Sequence, residues 1–295
     1  MNQCTLPEDE RMSPGHLGCQ GCGATNAMRF ALKGLGPKTV IVMPACCWSV
    51  IDGPFPHSSI GVPVYHTAFE TAASAASGVK AGFVMRGDTE TEIVAWAGDG
   101  GTFDIGLQAL SGAAERNDDF IYACYDNEAY MNTGIQRSGA TPYGAWTTTT
   151  PASSPKENPK KDMLGILVAH QIPYAATASI AYPEDLIAKF QKARTIKGTR
   201  FIHIFAPCPT GWKTAPEMTI ELARLAVETR IFPLLEVYDG KRYEVSRPSR
   251  MKPIEEYVKL QGRFRHFKKE DIAGMQKDVD QKWETLLARE KEGRK

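Results

Sequence analysis

Apolar residues come in short unbroken blocks, separated by stretches in which they recur at helical spacing. Thr39-Val40-Ile41-Val42-Met43, Glu92-Ile93-Val94-Ala95-Trp96-Ala97, Phe120-Ile121-Tyr122-Ala123-Cys124, Ala175-Ala176-Thr177-Ala178-Ser179 and Phe201-Ile202-His203-Ile204-Phe205 each read as a strand buried on both faces. The intervening periodicity predicts helices over 24–35, 66–85, 102–110, 162–170 and 183–193. Gly36-Pro37 stops the first helix, and Glu184 and Asp185 occupy the first turn of the last. Strand and helix alternate throughout, which predicts an α/β fold with a mainly parallel sheet flanked by helices.

The pattern changes after Trp212. A helix over 219–230, a hairpin over 234–245 around Asp239-Gly240 and a charged, weakly amphipathic helix over 270–294 are expected. The predicted division is an unpacked N-terminal arm over 1–14, a domain over 15–212, and a C-terminal extension over 213–295 that wraps the domain or a partner subunit. The stretch 140–161 is rich in Thr, Pro and Ser and predicts a long loop, functional or lid-like.

Composition adds exclusions. A net charge of +1 gives no electrostatic basis for binding nucleic acid or an anionic membrane. No apolar run approaches the roughly 20 residues that span a bilayer. Residues 1–12 are polar and acidic, unlike a secretory leader, so a cytoplasmic location is expected.

The candidate chemistry clusters at predicted strand ends. Gly98-Asp99-Gly100-Gly101 follows one apolar strand, and Asn127 follows the next. A Gly-Asp-Gly turn with such an Asn is a known way to bind thiamine diphosphate through Mg²⁺. The ion takes hard oxygen ligands and shares them with phosphates. Asp99 offers a carboxylate, Asn127 an amide carbonyl and Ala129 a backbone carbonyl, while Gly98 and Gly100 let the backbone approach the diphosphate. The plainer alternative is a tight turn with an exposed Asp. Asn132, one turn further on, either reaches the reactive end of a cofactor or steadies its own loop.

Seven cysteines without a secretory signal argue against a disulfide framework. Cys124 reads as a buried hydrophobe, and Cys4 falls in the arm. The Cys19-x-x-Cys22 pair with single cysteines at Cys47 and Cys208 suits an iron–sulfur cluster best, with zinc or unligated thiols as alternatives. Cys46 beside Cys47 is ambiguous. His66 and His203 read as satisfied core or interface histidines, and Lys156, Lys160 and Lys161 as a solvated charge run or a lid that faces a partner.

Together these residues resemble the 2-oxoacid:ferredoxin oxidoreductase family, and within it β subunits of the pyruvate type. The resemblance runs from about residue 15 to 265. It is carried by Gly15-His16 through Cys22-Gly23, by Gly98 to Gly106, by Tyr125 to Gln136, by Ala140-Thr141-Pro142-x-Gly144-Ala145, and by Ala206-Pro207-Cys208-Pro209-Thr210-Gly211-Trp212. It implies a thiamine-diphosphate-binding fold and oxidative decarboxylation of a 2-oxoacid. Pyruvate is favoured over oxalate or phenylglyoxylate. Coenzyme A is the implied acyl acceptor, and ferredoxin or a similar protein the electron acceptor. It implies Asp99, Asn127 and Ala129 as Mg²⁺ ligands. Gly98, Gly100, Gly101, Asn132 and Thr133 would also touch the cofactor, with Asn132 as the catalytic side chain. Cys19, Cys22, Cys47 and Cys208 become the ligands of a [4Fe–4S] cluster. The glutamate that activates the aminopyrimidine is expected from an α subunit, and the coenzyme A and ferredoxin-like cluster domains from γ/δ-type subunits. The rival expectations are a non-oxidative thiamine enzyme and a zinc-stabilised binding subunit.

Overall fold

In a computed structural model, which describes residues 5–293, eight strands form one sheet. The strands are β1 (Thr39–Pro44), β2 (Val64–Thr67), β3 (Glu92–Gly98), β4 (Phe120–Asp126), β5 (Tyr174–Ser179), β6 (Thr199–Phe205), β7 (Leu235–Tyr238) and β8 (Arg242–Val245). Their order is β2-β1-β3-β4-β6-β5-β7-β8. The first six in this row run parallel, and β7 and β8 add antiparallel at the β5 edge. Every residue of β1, β3, β4, β5 and β6 is buried, which accounts for their unbroken apolar sequence.

The helices are α1 (Gly23–Leu35), α2 (Trp48–Ile51), α3 (Ala72–Met85), α4 (Leu107–Glu115), α5 (Met163–Ala169), α6 (Pro183–Thr195), α7 (Pro209–Trp212), α8 (Thr219–Glu228), α9 (Ile254–Lys259) and α10 (Lys269–Glu292). One face of the sheet packs on α1, α6, α8 and α9, the other on α3, α4 and α5, giving two apolar layers, and α10 reaches both, Val279 joining the first and Trp283 the second. Local signals agree with these ends. Asp162 caps α5 by accepting from the Gly165 N–H at 2.9 Å. Asp239 (φ 51°) and Gly240 (φ 67°) make the left-handed pair at the centre of the β7–β8 turn, closed by the Lys241 N–H donating to the Tyr238 carbonyl at 3.0 Å.

Several expectations need correction. The helix expected over 66–85 starts only at Ala72, because His66 and Thr67 belong to β2, paired with Met43 and Pro44. His66 is therefore a half-exposed edge-strand residue and no core histidine. The arm, over its described part, is largely exposed but tethered: Glu10 pairs with Arg29 and Lys33, and the Ser13 N–H donates to the Ser59 carbonyl at 2.7 Å. Cys4 lies outside the described residues. The C-terminal part supplies two strands of the main sheet as well as its long helix. Among the described residues no helix is long and apolar enough to cross a membrane.

Candidate active site

The chain enters the sheet at β1, adds β2 on one side and then crosses to β3 on the other. The carboxyl end of an open parallel sheet at such a switch is where ligands bind. Four neighbouring strand ends meet there: β1 leads to Cys46 and Cys47, β3 to Asp99, β4 to Asn127, and β6 to Cys208. A cleft of about 210 Å³ opens between Ala45–Cys47 on one wall and Gly98–Gly101, Asn127 and Ala129–Thr133 on the other.

Asp99 is 1% exposed, and Ser138 Oγ donates to its Oδ2. The backbone then passes straight into a π-helical turn, Gly101–Ile105, pinned by Thr102 Oγ1 donating to the Gly98 carbonyl at 2.8 Å. Gly100 is glycine for a steric reason: a Cβ there would stand 2.3 Å from the Tyr130 ring. Tyr130 cannot yield freely, because its hydroxyl donates to Asp104 at 2.8 Å.

The end of the Asn127 amide lies 2.9 Å from both Asp99 Oδ1 and the Ala129 carbonyl oxygen. With its nitrogen turned that way, the amide hydrogen-bonds both oxygens. With its oxygen turned that way, three oxygens face one another, which is the donor chemistry a hard divalent cation takes. The residues therefore fit a Mg²⁺–diphosphate site. Burial, and next the Asp126 charge, push the Asp99 carboxyl well above the usual carboxylate range, a penalty a cation would relieve. Asp126 goes the other way. Burial raises it, but Lys160 and His203 outweigh that and hold it at about 2.

The predicted cysteines also converge. Cys22 caps α1, and the neighbouring Gly23 N–H donates to the Pro207 carbonyl at 3.1 Å, which draws the N-terminal loop against Cys208. Burial raises the Cys47 thiol to about 12, with further contributions from Cys46, Cys208 and Cys22. Burial raises Cys208 to about 11, with Cys22 and Cys19 adding to it. Among the described residues no three His, Cys, Asp or Glu side chains are grouped tightly enough for a single metal ion. Cys46 differs from Cys47: its buried sulfur faces the Tyr125 hydroxyl and the Gly98 backbone. The same hydroxyl accepts the Cys47 N–H at 3.0 Å.

Asn132 and Thr133 lie at the exposed mouth of the cleft, with Thr133 Oγ1 donating to Gln136 Oε1 at 2.6 Å. His203 is a buried histidine bonded to Asp126 at 2.7 Å, as a satisfied core residue should be. The lysine run is not solvated. Lys160 pairs with Asp126 and with Glu128 (2.8 Å), Lys161 pairs with Asp104, and Lys156 is buried, donating to the Thr141 and Pro159 carbonyls. Sequence reasoning missed Ser138 and Arg263 and took Lys160 for a solvated side chain. Only Ser138 carried a signal, since it adjoins the Ala140-Thr141-Pro142 stretch.

The profile of the thiamine pyrophosphate enzyme C-terminal TPP-binding domain matches residues 50–204. The chain is 53% identical over 293 residues to the ketoisovalerate oxidoreductase subunit VorB of Pyrococcus furiosus, covering 96% of this chain and 94% of that one. It is 54% identical over 278 residues to the pyruvate synthase subunit PorB of Methanothermobacter marburgensis, covering 93% and 96%. Among solved structures, a 2-oxoglutarate:ferredoxin oxidoreductase from Magnetococcus marinus matches with a TM-score of 0.60 at 23% identity, over 75% of this chain and 81% of that chain. That likeness concerns the fold.

Proposed function

This chain belongs to the 2-oxoacid:ferredoxin oxidoreductase family as a β subunit, and we propose that it holds thiamine diphosphate by its diphosphate end beside a [4Fe–4S] cluster. The observation that carries this reading is the Asn127 amide end standing 2.9 Å from both Asp99 Oδ1 and the Ala129 carbonyl oxygen, on strand ends next to those bearing Cys47 and Cys208. Bound thiamine diphosphate supplies the nucleophilic carbon and electron sink that 2-oxoacid decarboxylation needs.

The residues divide the remaining work. Asp99, Asn127 and the Ala129 carbonyl bind Mg²⁺, and Gly98, Gly100 and Gly101 leave room for the diphosphate against backbone N–H groups. Asn132 and Thr133, at the mouth, meet the reacting end of the cofactor and the substrate. Asn132 donates a hydrogen bond where negative charge develops. Cys19, Cys22, Cys47 and Cys208 would hold the cluster, which would supply a one-electron acceptor. Behind the cleft the Tyr125 and Trp96 rings stack with centroids 6.1 Å apart, both fully buried.

The site is completed by other chains: an α subunit bringing the activating glutamate, and γ/δ-type subunits bringing the coenzyme A and ferredoxin-like domains. The exposed face of α3, with Val84 and Met85, is the proposed contact surface. The working location is the cytoplasm. Pyruvate and branched 2-oxoacids such as ketoisovalerate are the proposed substrates, with ferredoxin as acceptor. An anaerobic assay of the assembled complex against a panel of 2-oxoacids, with a viologen acceptor and with or without coenzyme A, tests this. Reduction dependent on one of these acids and on coenzyme A is expected. Carbon dioxide release without viologen reduction would favour a non-oxidative thiamine enzyme.

A further inference from the structure

The turn that bears Asn127 and Ala129 is held in a conformation it would not choose alone. Glu128, between them, has φ 69°, a left-handed backbone for a residue with a side chain. Its side chain and backbone are fastened on every side. Lys160 Nζ donates to Oε1 at 2.8 Å, and Arg263 Nη2 to Oε2 at 2.6 Å. Thr141 Oγ1 donates to the Glu128 carbonyl at 2.7 Å, and the Glu128 N–H donates to Asp126 Oδ1 at 3.0 Å.

Arg263 does a second thing. It comes from the short turn Gly262–Phe264, is 2% exposed, and places its guanidinium carbon 3.8 Å from the centroid of the Trp212 ring. The Trp212 indole N–H donates to the Asn127 carbonyl at 2.8 Å. Trp212 closes α7, whose N-cap is Cys208, and its backbone N–H donates to the Cys208 carbonyl at 2.9 Å. One guanidinium thus touches the carboxylate inside the Asn127 turn and the indole that ties this turn to the Cys208 loop.

A buried ion cluster is a weak source of stability, because desolvation opposes the Coulomb gain. Asp126, Glu128, Lys160 and Arg263 nevertheless sit together below the cleft. We infer that Arg263 is a positioning residue. It sets Glu128 and Trp212 at once, so that the Mg²⁺–diphosphate turn and the Cys208 loop keep one fixed geometry. This rests on the cofactor reading above and adds to it a residue from the C-terminal part of the chain.

The test uses the whole complex, purified anaerobically, with Arg263→Gln, Arg263→Lys and Trp212→Phe. Three quantities are read: Mg²⁺-dependent affinity for thiamine diphosphate, iron content, and the midpoint potential of the cluster. Outer partners of metal ligands are worth about 10–100-fold in affinity. Arg263→Gln is therefore expected to weaken thiamine diphosphate binding about tenfold or more and to shift the potential, with iron retained. Trp212→Phe, which keeps a ring but loses the N–H, is expected to weaken binding in the same direction. Arg263→Lys restores the charge but not the flat stack, and is expected to recover only part of the affinity. Wild-type affinity and potential in Arg263→Gln would overturn the inference. If that variant does not assemble, wild-type values in both Arg263→Lys and Trp212→Phe overturn it. A wild-type complex that binds no thiamine diphosphate would instead overturn the cofactor reading.

Discussion

Asp99 and Asp126 end neighbouring strands, both fully buried, yet their surroundings drive them apart. Asp99 has Ser138 as hydrogen-bond donor and no ion-pair partner among the described residues, so burial and the Asp126 charge push its carboxyl up, against smaller opposing effects of Ser138 and the more distant Lys160. Asp126 has Lys160 and His203 and is held down at about 2 despite its burial. The first is built to receive a positive charge from outside, whereas the second is already paired. Lys160 is the hinge of this difference, since it serves both Asp126 and Glu128. Replacing Lys160 with Met leaves two buried carboxylates short of a partner. The expected cost is about 3–5 kcal/mol of stability, measured as the fall in urea midpoint against wild type. A change within about 0.5 kcal/mol, the range of ordinary surface substitutions, would show that the pair is dispensable.

At the scale of elements, the site is a set of loops cut to length by strands that stop together. Gly98 on β3 pairs with Tyr125 on β4, and Asp126 on β4 with Phe205 on β6, so the loops that follow emerge side by side. Glycines along these elements do different jobs, and substitution separates them. A Cβ at Gly100 runs into the Tyr130 ring at 2.3 Å, whereas one at Gly82 of α3 meets nothing within 4 Å. Gly82→Ala is therefore expected to raise the stability of the chain by about 0.4–1 kcal/mol in thermal unfolding. Gly100→Ala should weaken thiamine diphosphate binding at least about tenfold while leaving the iron content alone. Equal behaviour of the two variants would mean that Tyr130 does not close the diphosphate turn.

For the whole molecule, the legible parts were those with a local cause. Strands buried on both faces must be apolar throughout, so β1 and β3 to β6 stood out, as did the hairpin around Asp239-Gly240. Asp99 and Asn127 stood out because each directly follows a buried strand, and Cys22, Cys47 and Cys208 each stand immediately before a helix, with Cys19 marked only by its spacing to Cys22. β2 was hidden, since its four residues are partly exposed and merge into the small-residue run of α3. Lys160 and Arg263 were hidden for another reason. They act on Asp126 and Glu128 across 34 and 135 residues, and nothing beside them in the chain marks a buried cation. Long-range ties also join the Asn127 turn to the Cys208 loop through Trp212 and Arg263, and under the proposed function these two make one thiamine diphosphate and cluster centre. That unity is tested most directly by electron paramagnetic resonance of the anaerobic complex carrying Asp99→Asn. Dithionite should still evoke the reduced-cluster signal, because the thiols are intact, while the 2-oxoacid with thiamine diphosphate and Mg²⁺ should evoke it only in wild type. A substrate-evoked signal of wild-type size in Asp99→Asn would contradict the account.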